Sequence, residues 1–73
     1  MWQDRIVTDE KILTGKPIIK NTRIAVEFIM ELLGEGWKTE KILANYPQLA
    51  EDDILAALQY SAEAIKKEKT FAL

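Results

Sequence analysis

The chain has no cysteine and no histidine, only two prolines and three glycines, and no long apolar run. Without cysteine there are no disulfides and no thiolate metal sites. Without histidine the commonest zinc ligand and the commonest general base are missing as well. No apolar stretch approaches the roughly 20 residues that a membrane-spanning helix needs. The opening Met1-Trp2-Gln3-Asp4-Arg5 lacks the basic-then-apolar order of a signal peptide, so the expected location is the cytoplasm.

What is present is an ordinary globular balance, 48% hydrophobic and 30% charged over 73 residues. That length is one domain, expected to bury only about 60–65% of its unfolded surface. Small scaffolds usually supplement so small a core with disulfides, a metal or a partner. With the first two removed, a homodimer or a partner protein is expected, and the edges of a short hairpin invite such pairing.

The net charge of −2 is unevenly spread. Residues 1–24 carry five cations against three acids, and residues 25–73 five lysines against nine acids. Proteins that hold nucleic acid show a basic face. Here any such face must come from the N-terminal third, with Lys11, Lys16, Lys20 and Arg23 as the better surface.

Hydrophobic periodicity divides the chain at residue 25. Before it, Ile12-Leu13-Thr14 and Pro17-Ile18-Ile19 flank Gly15-Lys16 and predict a β-hairpin turning there, with Arg5-Ile6-Val7 a brief strand or extended arm. Asn21-Thr22 offers a second turn, because Asn tolerates the left-handed region. After it, Val26, Ile29, Leu32 and Leu33 recur at helical spacing, predicting a helix over 25–33 that Gly34 and Gly36 end. A second helix is expected over 39–45, stapled by Trp37 onto Ile42 and stopped by Pro47. A third is expected over 51–68, with Ile54, Leu55, Leu58, Ala62 and Ile65 facing inward and Ala56, Gln59 and Glu63 outward. The acids Glu51, Asp52 and Asp53 suit the positive end of its dipole, and Lys66, Lys67 and Lys69 the negative end. The apolar tail at 70–73 completes one mainly α domain: a hairpin arm (1–24), a three-helix bundle (25–69) and the tail. Three helices with a short middle one and a Pro-containing turn resemble helix-turn-helix architecture.

Few residues can carry chemistry. Gly15-Lys16-Pro17 lacks the earlier glycine and the following Ser or Thr of a phosphate loop, so it reads as a turn. Glu51, Asp52 and Asp53 point about 100° apart on a helix and do not converge on a cation. Catalysis, cofactor or metal binding and a small-molecule substrate are therefore not expected. Arg23 stands where strand hands over to helix. It is either an anchor for a partner carboxylate or DNA phosphate, or an internal pair for Glu51, Asp52 or Asp53. Thr22 caps or turns the backbone. Trp37 is either an interface anchor or a core filler, and Tyr46 belongs to the core. Trp2, Phe71 and Leu73, near the termini, are candidate contacts outside the monomer. Gln59 is the one good base reader expected on the outer face of the third helix.

The run Gly15-Lys16-Pro17-Ile18-Ile19-Lys20-Asn21-Thr22-Arg23-Ile24, then Gly36, then Tyr46-Pro47-Gln48-Leu49, resembles the domain of unknown function 433 family. Ile42-Leu43, Glu51, Asp53-Ile54 and Ala56-Ala57-Leu58-Gln59-Tyr60 also fit, so the resemblance covers nearly the whole chain. It implies a homeodomain-like or winged-helix-like fold with an N-terminal hairpin. It further implies a bacterial, VapB-like antitoxin of a type II toxin–antitoxin pair, binding a PIN-like nuclease. The alternative is a DNA-binding transcriptional regulator, which can also act on the operator of its own operon. The sequence departs from the family pattern at Asn21 (usually Gly), at Ala25 (often Pro), and at Lys38 and Ala50, where Ser or Thr often caps a helix. A missing cap costs around 1 kcal/mol, which again favours a partner.

Overall fold

Ile6–Val7 (β1) and Ile18–Ile19 (β2) form an antiparallel pair in which Ile6 faces Ile19 and Val7 faces Ile18. Three helices follow, Val26–Gly34 (α1), Thr39–Asn45 (α2) and Glu51–Lys67 (α3). This is a computed structural model that describes residues 2–67. Lys69 and the tail at 70–73 lie outside those residues.

The hairpin pairs a different first strand from the one expected. Leu13–Gly15 is a tight 3₁₀ turn, with Leu13, Thr14 and Gly15 at φ of 51°, 54° and 84°. Three successive residues of positive φ cannot lie in an extended strand. The pairing that forms instead buries Ile6 and Ile19, whereas Leu13 stays 45% exposed. Burial of apolar area therefore selects the more distant partner.

The second turn forms as expected. Asn21 takes φ 66°. The Thr22 hydroxyl donates to the Ile19 carbonyl at 2.8 Å and accepts the Ile24 N–H at 3.0 Å. Thr22 thus ties both ends of the loop at once.

The helices begin and end for local reasons. Ala25 precedes α1 in an extended conformation without a side-chain cap, so the helix starts one residue later than expected. Its far end is a Schellman motif: Gly36, at φ 95°, donates to Leu33 O at 3.0 Å, and Trp37 N donates to Leu32 O at 3.0 Å. α2 has the expected bounds, and Lys38 gives it no side-chain cap. Before α3 the missing cap at Ala50 is compensated from inside the helix. The Asp53 carboxylate reaches back and accepts the Ala50 N–H at 2.8 Å, which is half of a capping box.

Ile6, Ile19, Val26, Ile29, Leu32, Ile42, Leu49, Ile54, Ala56 and Ala57 form the core. The inward face of α3 differs from expectation. Asp53, Ile54, Ala56 and Ala57 are buried, while Leu55, Leu58 and Ile65 are 50%, 42% and 61% exposed. Two small alanines let α3 come close to the other helices, which leucines in those places would prevent. Ala56 is therefore a core residue rather than an outward one, and Glu63 is half-buried.

Candidate interaction site

The 20–23 loop is held by its own backbone. Lys20 N donates to Arg5 O at 2.8 Å, Thr22 N donates to Ile19 O at 3.0 Å, and the Thr22 hydroxyl closes the turn. Lys20 and Arg23 leave this rigid frame as exposed cations. With Asn21, Thr22, Gln48, Asp9 and Ile12 they line an open cleft of about 760 Å³. A neighbouring cleft of about 360 Å³ shares Lys20, Asn21, Thr22 and Gln48 and continues toward Arg5 and Asp53.

Arg23 does not take the internal role that was one of its two readings. It makes no ion pair or hydrogen bond with any described residue. Arg5 fills that role: its Nη1 donates to Asp53 Oδ1 at 2.9 Å, and its Nη2 lies 3.4 Å from Asp52 Oδ2. The hydrogen bond to Asp53 holds the Arg5 guanidinium above its ordinary pKa, and the nearby acids add to the effect, against a smaller opposing effect of burial. Sequence reasoning missed this pair, which joins residues 48 apart. A cation immediately before a buried Ile6 and an acid three residues after an uncapped Ala50 were the available signals.

The other candidates scatter. Lys16 Nζ lies 3.0 Å from Glu27 Oε1 in an exposed pair on the α1 side, so part of its field is already answered. Lys11 is exposed on the turn before the 3₁₀ segment. Gln59 is exposed beside Arg5, Asp52 and Leu55, in a different cleft from Lys20 and Arg23. Of the five residues expected to touch DNA, Lys20 and Arg23 line one cleft together, while Lys16 and Gln59 line two others.

Among the expected partner contacts, Trp2 is engaged within the monomer. Its ring meets Tyr60 edge to face at 4.9 Å and 85°, and its indole N–H donates to Glu63. Trp37 is half-buried against the core with the Lys41 ammonium 4.2 Å from its ring centroid. Tyr46 packs edge to face on Phe28 at 5.5 Å, as a core residue should. Phe71 and Leu73 lie outside the described residues. Among the described residues no three His, Cys, Asp or Glu side chains gather to hold a metal, and no helix is long and apolar enough to cross a membrane.

Comparison with known proteins gives two similarities. A family model described as Protein of unknown function (DUF433) matches residues 6–61. A crystal structure of a DUF433 member protein from Anabaena variabilis ATCC 29413 superposes with a TM-score of 0.82 at 31% identity. The match covers 89% of this chain and 64% of that one, so the chain spans under two thirds of its solved relative's length. None of the curated proteins compared with it matches.

Proposed function

The chain belongs to the DUF433 family, and from that premise we propose that it is the antitoxin of a type II toxin–antitoxin pair, a cytoplasmic binding protein that silences a PIN-like nuclease. The observation that carries this reading is Arg23: an exposed guanidinium, without a partner among the described residues, on a loop fixed by Thr22 and next to Lys20. Nucleases of that kind cluster carboxylates around a divalent metal to activate water. A planar guanidinium matches carboxylates in bidentate fashion, so Arg23 suits insertion among those acids. Because the loop is already rigid, little ordering is lost on binding.

The test is co-expression with the protein encoded beside this gene. The neighbour alone should stop growth, co-expression should restore it, and the two proteins should co-purify. Arg23→Glu should abolish rescue, and Lys16→Glu should leave it intact. A harmless neighbour, or failure to co-purify, would overturn the reading.

The rival reading, a regulator of helix-turn-helix type binding operator DNA, draws on the same pair, since Lys20 and Arg23 also suit phosphate. The N-terminus of α3, with Glu51 and Asp52 exposed, would repel it. Any DNA binding should then be weak and should depend on the 20–23 loop. In anisotropy titrations at several salt concentrations, Lys20→Glu with Arg23→Glu is expected to flatten the log–log salt slope by about 2, roughly 1 per phosphate contact. Gln59→Ala should change nothing; if it abolished specific binding, α3 would be the reader after all.

A further inference from the structure

α3 carries a second apolar stripe that the described residues leave uncovered. Leu55, Leu58 and Ile65 are 50%, 42% and 61% exposed, and Ala62 is exposed between them. Their spacing of three, four and three residues is the heptad seam of paired helices. The stripe faces away from Asp53, Ala56 and Ala57, and the buried Ile54 borders it on the side of Leu58 and Ile65. Single exposed leucines need no explanation, but a continuous seam along one helix face does.

We infer that this seam docks on the same seam of a second copy, with the two α3 helices antiparallel about a two-fold axis between Leu58 and Ala62. The charges choose both the occupant and its direction. Glu51 and Asp52 are exposed at the start of α3, and Lys66 and Lys67 at its end. Antiparallel pairing about that centre sets the acids of each copy within a turn of the lysines of the other. Parallel pairing would set acid on acid and lysine on lysine. A self-complementary patch of this kind is what an isologous dimer requires. The β-hairpin edges are a poorer site, because each strand has two residues and offers little backbone to pair. The seam spans about 15 Å of helix, so the interface is small and the dimer weak, with Kd in the range of about 10–100 µM. This inference stands apart from the antitoxin reading, since the 20–23 loop lies elsewhere.

Sedimentation equilibrium from about 1 to 500 µM, a range bracketing that affinity, tests it. The wild type should pass from the 8.4 kDa monomer to twice that mass. Leu58→Asp with Ile65→Asp should raise Kd at least tenfold, while melting at low micromolar concentration stays unchanged because both positions are exposed in the monomer. Lys66→Glu with Lys67→Glu should also weaken association. Mixing that variant with a Glu51→Lys, Asp52→Lys chain should restore it to about the wild-type level. Three results would each overturn the inference. One is a monomer throughout the range. Another is a dimer indifferent to the two aspartates. The third is a low-concentration melting loss in the aspartate variant, which would mean that the chain's own residues cover the seam. Indifference to the lysine reversal would overturn the antiparallel arrangement.

Discussion

Ile29→Ala is expected to lower the stability of the fold by about 3 kcal/mol and its melting temperature by about 15 °C. Ile29 has no exposed surface and belongs to the core cluster with Ile6, Ile19, Ile42 and Ile54. Truncation removes three methyl or methylene groups and leaves a cavity that the surrounding β-branched side chains, stiff at χ1, fill poorly. The loss is severe because the reserve is small: 73 residues at roughly 0.05–0.15 kcal/mol each give only about 4–11 kcal/mol. Leu58→Ala is the control. It removes a comparable side chain from an exposed position and should shift stability by under about 0.5 kcal/mol. Melts followed by circular dichroism need low micromolar protein, because dimerisation would otherwise add stability of its own. Equal losses in the two variants would mean that the α3 seam belongs to the core.

The two sites differ in how far the sequence alone discloses them. Helix boundaries were legible because their causes are local. Pro47 stops α2, and Gly36 supplies the positive φ that ends α1. The Thr22 turn was legible for the same reason, and with it the position of Lys20 and Arg23. The partner of β2 was not, because Ile6–Val7 and Ile12-Leu13-Thr14 are both short and apolar. Only burial of Ile6 against Ile19 decides between them. The inward face of α3 was misread because hydrophobicity ranks Leu55 and Leu58 above Ala56 and Ala57. Close packing selects instead by size, and it admits Asp53 because both carboxylate oxygens find donors. That same reversal exposes the leucines. The misreading of the core and the blindness to the seam have one cause.

Asp53→Ala is expected to cost more than the ~1 kcal/mol of a lost helix cap, although aspartate is a residue rarely buried. Asp53 is 7% exposed and spends one oxygen on the Ala50 N–H and the other on Arg5. Alanine would free the Ala50 donor at the start of α3. It would also strip the guanidinium of its main partner, a smaller loss because the Arg5 side chain is 39% exposed and water screens it. Asp53→Asn separates the two contributions: its amide oxygen can still accept the Ala50 N–H, so it should fall between wild type and alanine. Asp52→Ala should stay within about 0.5 kcal/mol, since its contact with Arg5 is long and exposed. The Arg5 pair makes no pH signature near neutrality. A cation whose pKa is raised on folding stabilises fully below its unfolded value and loses that contribution only as pH rises through the folded one. Both lie far above neutral, so urea midpoints of the wild type should show no change from Arg5 between about pH 6 and pH 9. If Asp53→Ala matched Asp52→Ala in those titrations, the reach-back to Ala50 would not be holding the helix start. The start of α3 would then be fixed by the packing of Ile54, Ala56 and Ala57.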